Sequence, residues 1–392
     1  MIIKKIEVIP IRIPFVEPFI TSRGVWQTDF AIVRITTDDG VVGVGDAGIA
    51  KPTHYAESQG TMMDIISNWI GPALIGEDPT NIEKIIQKMD DIVCWNWVAK
   101  TGIDYAIYDV AGKAMNVPVY KLLGGLTRDK VALQWLVRVR TGDDKLKAAE
   151  EAAKARKAGF QEVKLKVGFH KPEEDVERVR AVREALGDGF PFLIDANQAW
   201  TPDVAIRTIK KMEKYDLLMV EQPVPDWDIS GLAKVHRSIN VPLMADEAAR
   251  SIQGAINVIR MDAADLFRLH IAKAGGIFKS RQYISIAEGA NMPVKLGLMV
   301  TGGIETAASA HMGVAVEWLG KYAHSAIGPL LMYGGFDTDH ITEDIVKGQP
   351  ARIKNGYLYP PKGPGLGVEL NDEMIEKYRI PGMKTLVCEK RT

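Results

Sequence analysis

The chain has few cysteines and no long apolar run. Only Cys94 and Cys388 occur among 392 residues, far apart in the sequence, which excludes a disulfide framework and favours a reducing compartment. We therefore expect a cytoplasmic protein. No segment approaches the ~20 apolar residues of a membrane-spanning helix. The opening MIIKKIEVIPIRIPF has charges inside its apolar alternation, which predicts a β-strand and not a signal peptide.

An excess of either charge is also lacking. The 49 Lys and Arg residues nearly balance 50 Asp and Glu residues, giving a formal net charge of −1, so nothing attracts nucleic acid or an anionic membrane surface. With 46% hydrophobic and 25% charged residues, the composition is that of a soluble globular protein long enough for two domains. The expected partner is a small molecule, and we expect a homo-oligomer.

The first part of the chain, 1–125, is predicted to be an α+β capping domain. Alternating segments at 6–13, 31–37 and 41–46 indicate an antiparallel meander, with a turn at Asp38, Asp39 and Gly40. Helical patterns follow at 54–70, 81–92 and 100–115.

From residue 126 the pattern alternates between strands and amphipathic helices. Five strand-like runs end in polar residues at a spacing of ~25 residues, the length of one strand-plus-helix unit of a (β/α)₈ barrel. These ends are Lys164 to Lys166, Asp195 to Asn197, Glu221, Asp246 and His270. Helical patterns cover 144–158, 172–185, 202–215, 229–239 and 251–261. We predict an α/β fold, a (β/α)₈ TIM barrel over 126–335, with a Pro- and Gly-rich segment, 336–392, packing back onto the capping domain to complete it.

Three acidic residues, Asp195, Glu221 and Asp246, each end an apolar run. Carboxylates there are costly to bury unless they are paired or bind a metal, and a few hard oxygen ligands suit Mg²⁺, with Mn²⁺ as a possible substitute. The alternative is that each carboxylate caps a helix or pairs with a lysine. Asn197 is placed as a hydrogen-bond donor behind the ligands, and Glu247, which is expected to point away if the strand continues, is the alternative third ligand.

Basic residues of the same barrel strands supply proton-transfer candidates. Lys164 and Lys166 alternate with apolar residues, so both project to one side, and two buried like charges lower at least one pKa. The alternative is that both lysines neutralise the acidic cluster. His270 ends the sixth barrel strand and shares a side with Arg268; a single histidine is more often structural, but this one is in register with the acids.

The motifs together resemble the enolase superfamily, in its mandelate racemase and muconate lactonizing enzyme branch. The matching runs are KLK, LIDANQAW, VEQP, MADE and DLFRLHIAKAGGI, and GIDYAIYDVAGKAMNVPVYKLLGG is similar to the segment joining that family's capping domain to its barrel. The resemblance covers nearly the whole chain. It implies Mg²⁺-assisted removal of the proton α to a carboxylate, giving an enediolate stabilised by the ion and a lysine.

By the same resemblance, the metal ligands are Asp195, Glu221 and Asp246, and the acid/base of the KxK motif is Lys166 with Lys164 as its partner near the substrate carboxylate. Two departures concern the second base. Lactonizing and dipeptide-epimerising members have a catalytic lysine where this chain has His270; the mandelate racemase type has an aspartate there, paired with a histidine on the seventh strand, which here reads MPVKLGLM.

Two further residues follow from the resemblance. Glu317 is similar to a family glutamate that hydrogen-bonds the substrate carboxylate. Specificity is expected from capping-domain loops at 18–26, which includes Arg23, and at 50–54.

Three functions remain open at this point. The first is a racemase, epimerase or cycloisomerase that uses Lys166 and His270 on opposite faces of the substrate. The second is an acid-sugar dehydratase in which His270 protonates a departing β-hydroxyl. The third is a catalytically retired barrel that binds an acid or a metal, which the joint presence of both lysines and all three carboxylates disfavours.

Overall fold

A computed structural model describes most of the chain. The described residues are 1–14, 20–21, 24–25, 29–48, 57–137, 139, 145–298, 302–325, 343–348 and 351–389, with the backbone alone at 20–21 and 24–25. Arg23, the segment 50–54 and most of the segment 18–26 lie outside them, as does the predicted domain boundary at residue 335.

The described residues form sixteen strands. They are β1 (Ile3–Arg12), β2 (Ile20–Thr21), β3 (Gly24–Val25), β4 (Asp29–Thr37), β5 (Val42–Ala47), β6 (Val131–Val137), β7 (Glu162–Lys166), β8 (Phe192–Asp195), β9 (Met219–Glu221), β10 (Leu243–Ala245), β11 (Leu266–His270), β12 (Val294–Gly297), β13 (His324–Ser325), β14 (Arg352–Lys354), β15 (Tyr357–Tyr359) and β16 (Leu386–Glu389).

Fourteen α-helices are present in the same residues. They are α1 (Gln59–Asp64), α2 (Gly71–Leu74), α3 (Ile82–Ile92), α4 (Trp97–Ala114), α5 (Val119–Leu122), α6 (Lys145–Lys157), α7 (Pro172–Leu186), α8 (Pro202–Met212), α9 (Ile229–His236), α10 (Ile252–Arg260), α11 (Ile271–Ala274), α12 (Ile277–Gly289), α13 (Gly303–Ala315) and α14 (Asp372–Lys377). A π-helical segment, Ile65–Ile70, joins α1 to α2. None of these helices has the length and apolar character needed to cross a bilayer.

The capping domain is built on an antiparallel sheet in the order β16-β1-β4-β5. The predicted meander is confirmed: β4 and β5 form a hairpin, whose turn ends at Gly40 with a φ of +89° that suits glycine. Helix α4 packs directly on β5 because Gly45 has no side chain. A Cβ at Gly45 would lie only 2.0 Å from the carbonyl oxygen of Gly102. This close approach lets α4 lie between the sheet and the barrel.

Eight parallel strands form the barrel. The pairing runs from β6 through β12 in chain order, and β13 pairs with β6 on its other side. Local sequence sets the helix starts between them: Pro172 and Pro202 occupy the first turns of α7 and α8, and Ser251 accepts a hydrogen bond from the Gly254 N–H at the start of α10. The predicted TIM barrel with an α+β cap is confirmed.

The C-terminal segment contacts both domains. Strand β16 pairs with β1 and completes the capping sheet, as predicted. The hairpin β14–β15 instead pairs antiparallel with barrel strand β6, so part of the tail extends the barrel sheet.

One buried carboxylate holds the cap on the barrel. Asp104 of α4 accepts hydrogen bonds from the backbone N–H groups of Ile277, at 2.6 Å, and Phe278, at 3.2 Å. These N–H groups have no partner within helix α12 because they lie in its first turn. Asp104 of the capping domain therefore acts as the N-terminal cap of a barrel helix. The barrel mouth therefore lies beneath α4.

Candidate active site

Two lysines of β7 project into the barrel because alternate residues of a strand share a face. The Lys164 Nζ lies 3.0 Å from Asp195 Oδ2 and 3.0 Å from Glu221 Oε2. The Lys166 Nζ lies 2.6 Å from Asp195 Oδ2 and 2.5 Å from Asn197 Oδ1. Both side chains are buried. The residues predicted to cluster at the ends of β7, β8 and β9 do lie together.

Burial and charge act in opposite directions on this cluster. Burial favours the neutral form of Asp195, but the ammonium groups of Lys164 and Lys166 outweigh it and hold its pKa well below the usual range. Burial lowers the pKa of Lys164, against the pull of Asp195 and Glu221. For Glu221, burial and then the Asp195 charge raise the pKa. Positive charge between Asp195 and Glu221 is therefore needed to keep both carboxylates ionised.

Left-handed backbone turns the chain back at the ends of β8 and β9. Asn197 and Gln198 have φ values of 42° and 67°, and Gln222 has a φ of 33°, all rare for residues other than glycine. Gln222 also links two strand ends, because its Oε1 accepts hydrogen bonds from the N–H groups of Asp246, at 3.0 Å, and Ala248, at 3.1 Å. Sequence analysis gave Gln222 no role, although it lies in the VEQP motif.

Asp246 and Glu247 both face the barrel mouth. Strand β10 ends at Ala245, and a 3₁₀ turn begins at Glu247, so the strict alternation that predicted Glu247 to point away is lost. Glu247 Oε1 lies 3.3 Å from Asn197 Nδ2, and both acidic side chains are buried. The strand continuation on which an outward orientation of Glu247 depended does not occur, so Glu247 lies beside Asp246 at the mouth.

Lys273, in the IAKAGG run that follows β11, also belongs to the cluster. Its Nζ lies 2.6 Å from Asp246 Oδ1, and the side chain is buried. Helix α11 starts directly after β11, which returns Lys273 over the barrel mouth one turn beyond His270. The IAKAGG motif was the available signal, but the ion pair to Asp246 is a long-range contact that the sequence did not reveal.

His270 and Arg268 lie on the inner face of β11, as their alternation predicts. His270 Nε2 lies 3.8 Å from Asp246 Oδ2, and Arg268 Nε lies 4.0 Å from Glu221 Oε1. Burial, then the charges of Lys273 and Arg268, lower the pKa of His270 well below its usual value, so the imidazole is neutral near pH 7. No described residue hydrogen-bonds its Nδ1. Neutral imidazole is a proton acceptor at this position.

Glu317 does not lie at this site. It begins a 3₁₀ turn that precedes β13, and its exposed side chain lies 3.0 Å from Arg128, close to the start of β6. Residues before a barrel strand lie at the N-terminal end, opposite the mouth. The prediction that Glu317 contacts a substrate carboxylate is therefore wrong. Arg23, the other predicted substrate contact, lies outside the described residues.

The donor set fits Mg²⁺. Asp195, Glu221 and Asp246 are buried carboxylates at the ends of three adjacent parallel strands, and burial together with neighbouring acids raises the pKa of Glu221 and Asp246. A divalent cation would relieve that cost. Within the described ranges, no three acidic, histidine or cysteine side chains approach closely enough to hold one ion together; the ammonium of Lys164 instead lies between two of the carboxylates.

Comparisons with known proteins agree with this geometry. Residues 5–124 match the family "Mandelate racemase / muconate lactonizing enzyme, N-terminal domain", and residues 147–374 match "Enolase C-terminal domain-like". The chain belongs to the mandelate racemase and muconate lactonizing enzyme branch of the enolase superfamily. Members of this branch resemble the chain along nearly its whole length.

Two curated enolase-superfamily relatives are isomerases. The chain is 33% identical to the L-Ala-D/L-Glu epimerase of Clostridium acetobutylicum, over 94% of this chain and 99% of the relative. It is 31% identical to a chloromuconate cycloisomerase of Cupriavidus necator, over 94% and 96% respectively. The chain is accordingly an enolase-superfamily enzyme, and these relatives support a racemase, epimerase or cycloisomerase activity over that of a dehydratase.

Two solved structures of the branch have the same fold. A mandelate racemase/muconate lactonizing family protein from Azoarcus sp. EbN1 has a TM-score of 0.91 and 36% identity, covering 99% of this chain and 100% of that one. A dipeptide epimerase from Cytophaga hutchinsonii, complexed with Mg and the dipeptide D-Ala-L-Val, has a TM-score of 0.88 and 29% identity, covering 99% and 100%. Mg²⁺ and small-molecule substrates are thus features of this family.

Proposed function

We propose that the enzyme is a racemase or epimerase that moves the α-proton of a carboxylate substrate between Lys166 and His270. The supporting observation is the strand order β7-β8-β9-β10-β11. Lys166 ends the first of these strands and His270 the last; Asp195 and Glu221 end the two strands that follow β7, and Asp246 comes directly after β10. A carboxylate substrate in the barrel mouth would present its α carbon between the two bases.

The surroundings of Lys166 and His270 suit delivery of a proton by one residue and removal of a proton by the other. The Lys166 amine donates to Asp195 and Asn197, which hold it in a fixed orientation. His270 is neutral and has an acceptor nitrogen, so it suits removal of a proton from one face while Lys166 delivers a proton to the other. Inversion at carbon requires such groups on both faces.

The remaining residues would supply charge. Asp195, Glu221 and Asp246 would hold Mg²⁺, which would supply stabilisation of the negative charge on the substrate carboxylate oxygens. Lys164 contacts Asp195 and Glu221 and stands beside Lys166, where its ammonium adds to the same stabilisation. Arg268 lies behind Glu221 and keeps that carboxylate oriented.

The test is a screen of carboxylic acids in D₂O with the Mg²⁺-loaded enzyme, read by proton NMR. A racemase or epimerase replaces the α-proton with deuterium and converts one stereoisomer into the other. A dehydratase instead releases a β-hydroxyl and forms a keto acid, and a cycloisomerase forms or opens a ring. The proposal fails if the substrate found by the screen is converted without inversion at the α carbon.

Four finer predictions from the sequence accompany this proposal. We propose that Mn²⁺ substitutes for Mg²⁺, because both ions accept oxygen ligands. We also propose a homo-oligomer, a cytoplasmic location, and domain limits at 1–125, 126–335 and 336–392. Size-exclusion chromatography with light scattering tests the assembly, and metal replacement tests the ion.

A further inference from the structure

A second cavity opens beside the candidate active site, between the cap and the barrel. Its volume is about 590 Å³, within the ~300–1,000 Å³ typical of small-molecule sites. Glu57 and residues 94–97 line it from the cap, and residues 226–227, 247–248 and 250–251 line it from barrel loops that follow β9 and β10. The cavity therefore lies at the mouth end of the barrel.

Glu247 connects this cavity to the proposed acid/base. Its Oε1 lies 3.3 Å from Asn197 Nδ2, and Asn197 Oδ1 lies 2.5 Å from Lys166 Nζ. Glu247 is 4% exposed, and its other oxygen, Oε2, is buried without a hydrogen-bond partner in the part of the chain that the structure describes. A buried carboxylate oxygen with no donor is costly, which favours a ligand that brings one.

Tryptophans form much of the remaining wall. Trp227 is 80% exposed and Trp95 is 63% exposed, one from the barrel and one from the cap. Trp97 meets Trp95 edge to face, with ring centroids 5.9 Å apart. Large aromatic side chains left in solvent on both sides of a cavity mark a binding surface, and indole rings attract cations most strongly.

The charges on the lining disfavour an anion. Arg250 is ion-paired with Asp226, and both oxygens of Glu57 accept hydrogen bonds from the backbone N–H groups of Val98 and Ala99. These charges are already paired. Glu247 is the lining carboxylate whose Oε2 has no donor among the described residues, and an apolar ligand would leave that oxygen unpaired.

We propose that this cavity binds a cationic N–H group, an ammonium or guanidinium, carried by the substrate at a distance from its reacting carboxylate. The cation stacks between the indole rings of Trp95 and Trp227 and donates a hydrogen bond to the Glu247 carboxylate. This proposal rests on the proposed function and names its substrate class: a carboxylate with a positively charged side chain or amino terminus.

A binding measurement tests the cavity without any turnover. Butylguanidinium is titrated calorimetrically into the Mg²⁺-loaded enzyme, with 1-butanol as a neutral probe that carries the same alkyl chain. Butylguanidinium is expected to bind saturably, at least about tenfold more tightly than 1-butanol, as cation–π attraction implies. Trp227→Ala and Trp95→Ala are expected to abolish that preference. Trp69→Ala, at an exposed tryptophan outside the cavity lining, is the matched control.

A second measurement uses turnover. The rate of α-proton exchange in D₂O is compared between paired carboxylates, one with a terminal ammonium group and the other with a methyl group in its place. The ammonium member is expected to have a kcat/KM about tenfold higher in wild type, and the two members similar values in Trp227→Ala. Equal binding of butylguanidinium and 1-butanol, or unchanged affinity in both tryptophan variants, overturns the cation site. Absence of α-proton exchange with every carboxylate overturns the proposed function instead. The calorimetric titration then still tests whether the cavity binds a cation.

Discussion

His270 and Gly297 are direct partners in the parallel pairing of β11 with β12. A Cβ at position 297 would lie 2.7 Å from His270 Nε2 and 2.5 Å from Arg268 Nε. The imidazole of His270 and the guanidinium of Arg268 therefore occupy the space that a side chain at position 297 would fill. The absence of a side chain at Gly297 fixes where His270 lies.

Gly297→Ala is expected to displace His270 and to slow inversion about 10²-fold, since an error of ~1 Å in a reacting group costs that much. Proton exchange through Lys166 should be less affected. The measurement is inversion and exchange of the same substrate, with a thermal melt to verify folding. Gly289→Ala is the control, because a Cβ there meets nothing within 4 Å. Equal losses in the two variants would show that His270 does not depend on Gly297.

Metal binding should depend on Asp195. Mg²⁺ at a hundredfold excess over its Kd stabilises a folded site by about 2.7 kcal/mol, seen as a rise in Tm. Asp195→Asn is expected to remove this rise and the activity, and chelation should abolish turnover in wild type until Mg²⁺ is returned. Asp203→Asn, which changes an exposed carboxylate paired with Lys234, should keep both properties. Full activity after chelation, with elemental analysis finding no metal, rules out the metal site.

The third ligand is distinguished by a matched pair of variants. Asp246 contacts Lys273 and lies near His270, whereas Glu247 faces Asn197 and the cavity. Asp246→Asn is therefore expected to weaken Mg²⁺ binding more than Glu247→Gln, as measured by calorimetry. The reverse order would assign Glu247 as the ligand.

Sequence periodicity accounts for much of the site, and its failures have physical causes. The alternation of KLK placed Lys164 and Lys166 on one face because successive strand residues point to opposite sides. It failed at Glu247, where the strand had already ended. The assignment of Glu317 came from the family resemblance, and it failed because the glutamate precedes β13 and lies beside Arg128 at the other end of the barrel.

Long-range contacts were beyond any local pattern. The ion pair of Lys273 with Asp246 joins residues on different barrel units. The role of Gly297 depends on atoms of the neighbouring strand, and the cavity at Trp95 and Trp227 forms only when the cap meets the barrel. These features arise from packing and not from sequence period.

Stability should depend on pH through Asp104. Burial raises its pKa to about 7, from 3.8 in an unfolded chain. Between these two pH values the folded protein holds a proton on Asp104 that the unfolded chain has lost. The stabilisation of the folded state by protonated Asp104 is therefore complete below pH ~4 and is lost as pH rises through ~7. Relative to Asp104→Asn, wild type should lose up to about 4 kcal/mol over that window, at ~1.4 kcal/mol per pKa unit.

Urea unfolding at several pH values measures that difference. Asp129→Asn, at an exposed position, is the control and should follow the wild-type pH profile. Parallel pH profiles for wild type and Asp104→Asn would mean that Asp104 is ionised throughout.

Proton transfer on two faces of the substrate is the central claim, and the fate of the α-proton in single variants tests it most directly. Each stereoisomer of the substrate is incubated in D₂O with wild type, Lys166→Ala, His270→Asn and the control His236→Asn, and exchange and inversion are followed by NMR. We predict that Lys166→Ala and His270→Asn both lose inversion, while each still exchanges the α-proton of one stereoisomer, and that the two variants retain opposite ones. Inversion at the wild-type rate in His270→Asn across neutral pH would contradict the two-base mechanism.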